Sequence, residues 1–423
     1  MNATTPASTQ ERTTRPNHRT SMAIAMFAIL LLSYVINAMD RQLFPLLVTD
    51  VREEYGFGLA DAGLLSTVFT LGMGLAGIPT AFLMARLSRK LIVIIGIFVF
   101  SITTLMTALS HSFLDMFVYR ALSGLGEAMQ LTALLAIAAS YFTRHRAVAI
   151  GSVNLSFAVG AAISPVVGGA LLAAHDWRMP LIVFGLLGAV AIVAVAIFVR
   201  RWLTEASTEA AVEVDAPTPT TTTTVAVGGA ALPATLRNRN SVLLVLSTIA
   251  GGLLIYGYLG MYPTYLQEGL GFDVGEKVGV MSIFGLGAIL SVVGGYLGDR
   301  FSARLVLPGS FVIGIALAVL LFTGPASFAF HAVFSFLWGA VISGTTYVNL
   351  AGYHVKAVAA PLAGKASGLF IAALYIPAAF SGYVIGAAAT QMGWQLTGII
   401  VIGGIAAVGA VASLLLDPKR MAR

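Results

Sequence analysis

The sequence predicts an all-α membrane protein with twelve transmembrane helices in two six-helix bundles. Of its 423 residues, 58% are hydrophobic and only 10% are charged, whereas a soluble domain carries about 25% charged residues. About twelve apolar segments are long enough to cross a bilayer, which takes roughly twenty residues each. One long polar interruption, at 201–239, divides these segments into six and six.

The first apolar segment follows a polar stretch and is too long for the core of a signal peptide, so we expect a retained first helix. Forty-five glycines suit helices that pack closely in lipid, because small residues let backbones approach one another. The predicted spans are 23–47, 59–84, 91–110, 113–142, 147–173, 179–200, 240–266, 278–298, 304–323, 327–353, 361–388 and 394–416.

The positions of lysine and arginine predict the orientation of these spans. With both termini in the cytoplasm, nineteen of the 24 basic residues fall in cytoplasmic segments, and the external loops hold only Arg52, Arg178 and Lys277. Basic residues accumulate in the cytoplasmic loops of membrane proteins. The sequence therefore predicts a multi-pass protein of a bacterial-type inner membrane with both termini cytoplasmic.

The polar interruption predicts the domain organisation. It contains four acidic residues, the run APTPTTTTT and a Gly/Ala stretch, a composition that cannot bury a core and is typical of a flexible linker. We expect a cytoplasmic tail at 1–22, an N-terminal six-helix bundle at 23–200, a cytoplasmic linker at 201–239, a C-terminal six-helix bundle at 240–416 and a cytoplasmic tail at 417–423.

A basic segment repeats between the two halves. The sequence ARLSRK follows the second predicted helix at 85–90, and DRFSAR follows the eighth at 299–304. Six plus six helices with an internal repeat are typical of transporters in which two bundles rock around a central site.

Over essentially its whole length the chain resembles the major facilitator superfamily. The segment GGYLGDRFSAR at 294–304 is close to that family's signature between helices two and three, in its second-half copy. The first-half copy, AFLMARLSRK at 81–90, departs from it, because Ala85 replaces the usual Asp and Ser88 the usual Gly. The resemblance implies the major facilitator fold and an inner gate that holds the outward-facing state closed. Its gating residues here would be Arg86, Arg89, Asp299, Arg300 and Arg304.

Two further motifs narrow the resemblance. RALSGLGEA at 120–128 resembles the family's fourth-helix motif, and residues 160–169 resemble a fifth-helix motif associated with antiporters, with Ser164 in place of a Gly. Proline and small residues also simply bend and pack helices, so the second motif is only a weak sign of export. The combination of charges in helices one and four is similar to the proton-coupled organic anion symporters of the anion:cation symporter branch, and equally to the Spinster-like lipid transporters.

Several other functional classes lack support in the sequence. Cysteine is absent, which excludes disulfides, Cys-ligated metals and Cys nucleophiles. There is no Walker motif and no metal-ligand spacing, so we expect no enzyme, no cofactor and no bound metal. We expect as partners a small-molecule substrate, protons and the lipid bilayer, with no nucleic acid, and we expect a monomer.

Four charged residues inside predicted spans are the strongest functional signal. Asp40 and Arg41 lie in the first span, and Arg120 and Glu127 lie in the fourth. Each such residue costs roughly 2.5–3.5 kcal/mol at a helix centre, so it is rarely present without a partner or a task. The net charge of two acids and two arginines is zero, which predicts that they pair with one another around a water-filled cavity. The alternative is that the pairs are static clamps between helices.

The spacing predicts which of these side chains share a face. Arg120, Ser123, Glu127 and Gln130 form a polar stripe on one face of the fourth helix, with Glu127 about 10.5 Å deeper than Arg120. Tyr34, Asn37, Asp40 and Arg41 form a facing stripe on the first helix.

Burial favours the neutral form of a carboxyl group, and a neighbouring arginine favours the ionised form, so the pair can act as a proton switch. We therefore predict Asp40 and Glu127 as proton carriers, Arg120 as the substrate anchor because its planar fork grips a carboxylate, and Arg41 as an outer-gate partner.

The second half has no intramembrane charge, so we expect it to supply the shape of the site. Aromatic side chains with a polar tip suit mixed cavities, and the predicted substrate-binding residues there are Tyr258, Tyr262, Asn349 and Tyr375, beside Tyr34, Asn37 and Gln130 in the first half. Tyr262 and Tyr265 lie close enough to the outer end to form an interfacial aromatic belt instead. Asp115, His111, His331 and His354 lie near helix ends, where structural roles are common.

The leading hypothesis is a secondary transporter that takes up a small organic anion, a carboxylate, together with protons. The alternative is a proton-antiport exporter of drugs or amphipathic lipids, whose cavity should be larger and more apolar. A third class, a receptor or scaffold that transports nothing, predicts no counterflow and tolerance of Glu127→Gln.

Overall fold

The computed structural model describes residues 18–205 and 232–422, and every regular element among them is helical. The prediction of an all-α protein is therefore confirmed. The predicted tail up to residue 17 and most of the predicted linker, 206–231, lie outside the described residues. The helices are α1 (His18–Tyr55), α2 (Leu59–Thr67), α3 (Phe69–Leu75), α4 (Gly77–Met84), α5 (Arg89–Ala108), α6 (Phe113–Tyr141), α7 (Arg146–Ala174), α8 (Arg178–Phe198), α9 (Arg201–Thr204), α10 (Arg239–Thr264), α11 (Val274–Ala288), α12 (Ser291–Arg300), α13 (Ala303–Thr323), α14 (Phe328–Trp338), α15 (Tyr347–Lys356), α16 (Ala363–Ala378), α17 (Ser381–Leu396) and α18 (Gly403–Leu414).

Ten helical stretches among the described residues are long and apolar enough to cross a membrane. The count differs from the predicted twelve in two places. The second predicted span is broken into α2, α3 and α4, and the last two predicted spans form one stretch of 52 residues, Ala363–Leu414. Within that stretch Gly393 has φ +80°, a left-handed conformation that glycine adopts without steric cost.

Polar side chains fix the starts of several helices. Ser88 accepts a hydrogen bond from the backbone N–H of Leu91, and Ser112 accepts one from Asp115. Asp273 and Glu276 form a reciprocal capping box at the start of α11. Such caps satisfy backbone N–H groups that the first turn of a helix leaves free. They explain why α5, α6 and α11 begin where the polar loop residues end.

We call residues 18–205 the N-terminal section and residues 232–422 the C-terminal section. The N-terminal section contains two apolar clusters, one around Leu30 and Ile97 and the other around Phe44. The C-terminal section contains one large cluster around Phe311, which extends to Phe69 of the N-terminal section. Each section thus has its own core, and the largest cluster also crosses between them.

The two sections are locked together at one end of the molecule, which we call the closed end. Arg52 and Glu268 form an ion pair of 2.6 Å across it, and the Thr67 hydroxyl donates to the carbonyl of Ala379 at 2.7 Å. Gly63 and Gly382 face each other so closely that a Cβ added to either would overlap the backbone of the other. The closed end is therefore sealed by backbone contact between α2 and α17.

At the opposite end, the open end, the described contacts stay within each section. Arg89 donates to Ser140 at 2.9 Å in the N-terminal section, and Lys356 pairs with Asp299 at 3.0 Å in the C-terminal section. These basic residues of the open end therefore hold together elements of their own section.

Candidate functional site

Two arginine–carboxylate pairs join α1 to α6 inside the N-terminal section. Arg41 Nε donates to Glu127 Oε2 at 2.8 Å, and Arg120 Nη1 lies 3.7 Å from Asp40 Oδ2. All four residues are at most 4% exposed. The four charges that the sequence places in two separate spans thus meet in one buried site.

A chain of uncharged polar groups holds Arg41 in position. Arg41 Nη2 donates to Asn37 Oδ1 at 2.8 Å, and Asn37 Nδ2 donates to Gln130 Oε1 at 2.8 Å. Gln130 Nε2 in turn donates to the Ser33 hydroxyl at 3.0 Å. Because each amide is both donor and acceptor, the chain fixes the guanidinium relative to both helices. Asn37 and Gln130, predicted to bind substrate, support Arg41 in this conformation.

Each of the two carboxyl groups has one oxygen without a hydrogen-bond partner in the described part of the chain. Asp40 Oδ1 accepts from the Thr104 hydroxyl at 2.8 Å, whereas Asp40 Oδ2 and Glu127 Oε1 have no hydrogen-bond partner among the described residues. An ionised carboxylate only accepts hydrogen bonds, and a protonated one can also donate. The predicted role of Asp40 and Glu127 as proton carriers stays a prediction.

Arg120 is bonded less completely than Arg41. None of its three side-chain nitrogens has a hydrogen-bond partner within the described part of the chain, and its guanidinium carbon lies 4.8 Å from the ring centre of Phe44 and 5.3 Å from that of Phe69. A buried charged group without hydrogen bonds costs more than the about 1–3 kcal/mol of a neutral one. Arg120 is thus a poorly satisfied cation in this conformation.

A cavity of about 140 Å³ lies between the two sections, next to Arg41. Among the described residues that line it, Arg41 alone is charged. The uncharged polar residues of its wall are Gln42, Asn154, Ser291 and Ser343, and the aromatic ones are Tyr34, Phe157, Tyr256, Phe284, Tyr347 and Tyr375. Arg120 does not line this cavity, although the sequence predicts it as the substrate anchor. The arginine that a ligand would meet here is Arg41.

Of the predicted aromatic residues, Tyr34 and Tyr375 line the cavity, and sequence reasoning missed Tyr256 and Tyr347. The prediction chose the face of α10 that carries Tyr258. Tyr256 lies two residues earlier, about 200° around the helix, and belongs to the opposite face. A search for aromatic residues on both faces of α10 would have found Tyr256, whose apolar neighbours Ile255 and Leu259 also line the cavity.

Tyr258 and Tyr262 instead belong to a buried aromatic stack away from the cavity. Their ring centres lie 4.4 Å apart, and Tyr258 stacks on Trp338 at 5.4 Å. The Tyr262 hydroxyl lies 2.7 Å from His331 Nδ1. Tyr262 and Tyr265 are only 1% and 3% exposed, so they do not form an interfacial belt, and His331 is buried in their cluster. A role of this stack in substrate binding stays a prediction.

Asn349 and Asp115 have structural contacts in this conformation. Asn349 Nδ2 donates to the carbonyls of Gly294 and Thr345, both at 2.8 Å, which ties α15 to α12. Asp115 accepts from the backbone N–H of His111 at 3.2 Å and helps to cap α6. His354 lies 2.9 Å from the Thr248 hydroxyl. These contacts describe packing, and the predicted binding role of Asn349 is not tested by them.

The predicted gating residues lie at the open end, in contacts within their own section. Arg86 lies over the Phe82 ring at 3.9 Å, and Arg300 Nη1 lies 3.5 Å from the Tyr296 hydroxyl. Arg304 is exposed, and Asp299 pairs with Lys356 as described above. Arg41, predicted as an outer-gate partner, is buried beside the cavity. Their gating roles stay predictions.

Sequence reasoning also missed a buried cation between the sections. Lys277, counted among the external-loop residues, is fully buried at the start of α11. Its Nζ donates to the carbonyl of Leu46 at 3.0 Å and to Gln267 Oε1 at 2.5 Å. The basic residue is thus part of the closed end, and only its hydrogen bond to α1 in the other section reveals it.

The sequence profile described as Major Facilitator Superfamily matches residues 30–382. The chain belongs to this superfamily. It is a multi-pass membrane transporter rather than an enzyme, since both the family and its named relatives are transporters. The fold agrees, because the nucleoside transporter NupG superposes with a TM-score of 0.73 at 15% identity over 92% of this chain and 99% of that one. An inward-facing, occupied bacterial homolog of the lysosomal transporter Spinster superposes with a TM-score of 0.67 at 18% identity over 92% and 91%.

Relatives of known name include transporters of organic anions. The cis,cis-muconate transport protein of Acinetobacter baylyi is 26% identical over 74% of this chain and 76% of its own length. The probable L-galactonate transporter of Escherichia coli is 24% identical over 95% and 91%. Protein spinster of Drosophila melanogaster is 28% identical over 63% of this chain and 45% of its own length. The predicted resemblance to both branches is confirmed.

Proposed function

We propose that this superfamily member is a proton-coupled symporter that takes up a small organic anion, a carboxylate, by alternating access. One observation carries the proposal. Arg41, the sole charged residue among the described residues that line the cavity, is paired with Glu127, a buried carboxyl group whose other oxygen has no hydrogen-bond partner among the described residues. A site for an anion and a site for a proton are therefore connected through one guanidinium. The names of the muconate and galactonate relatives support an organic anion as the substrate.

The coupling follows from competition for Arg41. A carboxylate that enters the cavity displaces Glu127 from the guanidinium, since both occupy the same donors. A buried carboxyl group without a cation favours its neutral form, so the displaced Glu127 takes up a proton and bonds to Asp40. Anion binding and proton binding then favour each other, which is the requirement for symport.

Arg120 has a different role in this scheme. It stays beside Asp40 and keeps that carboxylate charged. Asp40 and Glu127 together therefore bind one proton rather than two. Its unsatisfied donors are also available to the substrate when the sections rearrange, which preserves the predicted anchor role for another conformation.

We propose twelve transmembrane helices in two six-helix bundles. The three short helices α2–α4 follow one another directly and form one span, and the 52-residue stretch becomes two spans on either side of Gly393. The described sections then correspond to bundles at 23–200 and 240–416, joined by a cytoplasmic linker at 201–239. The distribution of basic residues supports cytoplasmic termini in a bacterial-type inner membrane, with the closed end outside.

The cavity supports a small anion over the alternative substrates. Its volume of about 140 Å³ is below the roughly 300–1,000 Å³ of pockets for drug-sized ligands. An exporter of amphipathic lipids needs a larger and more apolar site, so the alternative receives no support from this conformation.

The test is uptake into proteoliposomes with an alkaline interior. The membrane potential is clamped with potassium and valinomycin, and radiolabelled carboxylates, including cis,cis-muconate and L-galactonate, are supplied outside. We expect an acid to accumulate above its external concentration and to leave again when a protonophore is added. Accumulation that is unchanged by the protonophore contradicts proton coupling.

A further inference from the structure

We propose that the substrate is a small monocarboxylate with a flat, largely apolar body, an aromatic ring or a conjugated chain of about six to eight carbons, rather than a polyhydroxylated acid. This inference rests on the proposed function, because it concerns the anion that binds at Arg41. It is carried by the charge, the aromatic rings and the volume of the cavity wall.

The number of cations in the wall limits the charge of the substrate. Arg41 is the one charged residue among the described residues that line the cavity. A second carboxylate on the substrate would enter an apolar space without a cation, which carries a large desolvation penalty. One carboxylate, held by the planar guanidinium, matches this wall.

Aromatic rings lie close to that cation. The guanidinium carbon of Arg41 lies 5.8 Å from the ring centre of Tyr34 and 5.7 Å from that of Phe157. The C-terminal section adds Tyr256 and Tyr375 to the same wall, with ring centres 5.6 Å apart. A substrate whose carboxylate binds Arg41 places its body against these rings, where a flat π-system makes the best contacts.

Most of the remaining wall is apolar or aromatic. Besides Arg41 and the tyrosines, its polar residues are Gln42, Asn154, Ser291 and Ser343, and the other described residues that line it carry no polar side-chain atom. The body of a hexonate would bring five hydroxyls against this surface, and each buried hydroxyl without a partner weakens binding.

The size of the cavity agrees with one ring. An apolar cavity of about 150 Å³ is known to accommodate benzene, and the volume here is about 140 Å³. Displacement of the Glu127 carboxylate from Arg41 adds room for the carboxylate of the substrate.

The experiment measures binding to the purified full-length protein by isothermal titration calorimetry, because neutral benzoic and sorbic acids cross bilayers unaided. The ligands are benzoate and sorbate as flat monocarboxylates, cyclohexanecarboxylate as a puckered ring of similar size, gluconate as the hydroxylated acid and benzamide as the uncharged control. We expect benzoate or sorbate to bind at least tenfold more tightly than cyclohexanecarboxylate and gluconate, and benzamide not to bind.

Variants test whether the rings are responsible. Tyr256→Leu and Tyr375→Leu should weaken benzoate binding at least fivefold, whereas the corresponding Phe variants should retain most of it. Tyr383→Leu, at a 45% exposed position outside the cavity wall, is the matched control and should bind as the wild type does.

The outcomes separate this inference from the proposed function. If gluconate or cyclohexanecarboxylate binds as tightly as benzoate, the inferred substrate class is wrong, but the proposal that the site binds an organic anion still stands. If none of the carboxylates binds and proteoliposomes accumulate no acid, the proposed function itself is wrong. The comparison of ligands on the wild-type protein decides the question even if a leucine variant does not fold.

Discussion

At the scale of single residues, the carboxyl groups of Asp40 and Glu127 determine what the site can do with a proton. Both are buried, and each faces one arginine. An amide in place of either carboxyl keeps the shape and much of the hydrogen bonding but cannot ionise. The two residues can therefore be tested without large changes of packing.

Asp40→Asn and Glu127→Gln should each abolish accumulation driven by a pH gradient while sparing exchange of substrate at equal pH. The reason is that exchange needs substrate binding and the conformational change but no net proton movement. The measurement compares gradient-driven uptake and counterflow in proteoliposomes, with Glu53→Gln, an exposed position on the same helix, as the control. If both variants still concentrate the substrate, these carboxyls do not carry the proton.

The two arginines should respond differently to replacement by lysine. Arg41 bonds Glu127 and Asn37 through two nitrogens of a planar fork, and a lysine ammonium cannot reproduce that geometry. We expect Arg41→Lys to raise the substrate Kd at least tenfold, which corresponds to about 1.4 kcal/mol, and Arg120→Lys to raise it less. Isothermal titration of the two purified variants measures this. A larger loss for Arg120→Lys would show that Arg120 is the main anchor.

At the scale of elements, the contact between α2 and α17 controls the closed end. Gly63 and Gly382 approach without side chains between them. The Arg52–Glu268 ion pair that also joins the sections is partly exposed, and exposed pairs contribute only about 0–1 kcal/mol. Close packing of the backbones, rather than the ion pair, therefore keeps this end shut.

Gly63→Ala should shift the population away from the closed conformation, because the added methyl group overlaps the carbonyl of Gly382. The protein has no cysteine, so spin labels attached at Glu53→Cys and Leu270→Cys report the distance across this end by double electron–electron resonance. We expect a longer and broader distance distribution than in the unsubstituted labelled protein. Gly151→Ala, where an added Cβ meets nothing within 4 Å, should leave the distribution unchanged, and an unchanged distribution in Gly63→Ala would disprove the contact.

At the scale of the whole molecule, the two ends differ in both contact and charge. The sections meet through α2 and α17 at the closed end, whereas the basic segments at 85–90 and 299–304 lie at the open end. Because basic loops stay in the cytoplasm, we propose that the open end faces the cytoplasm, which corresponds to an inward-facing conformation.

The orientation predicts which cysteines react from outside the cell. In intact bacteria, a membrane-impermeant maleimide should label Glu53→Cys at the closed end and should not label Ser302→Cys, at an exposed position of the open end. Both should react after permeabilisation, which controls for accessibility. Labelling of Ser302→Cys alone in intact cells would reverse the orientation.

Composition and periodicity were sufficient for the helical class, for most helix limits and for the residues of the charged site. Asp40, Arg41, Arg120 and Glu127 stand out because ionised groups in an apolar span are costly, and this cost is visible in a single sequence. The breaks between α2, α3 and α4 and the turn at Gly393 could not be predicted, because they change the hydropathy of the sequence very little.

The sequence by itself thus determined that the chain is a helical membrane protein with four buried charges, since burial of charge and length of apolar segments are local properties. Only the tertiary structure decided that Arg41 rather than Arg120 lines the cavity, that Tyr256 rather than Tyr258 faces it, and that Lys277 is buried. Those three facts depend on the rotation of each helix about its axis and on the distance between the two sections. Helix packing fixes both quantities. Because lipid tails are as apolar as buried side chains, the hydrophobicity of one sequence does not show which face of a helix contacts protein and which contacts lipid.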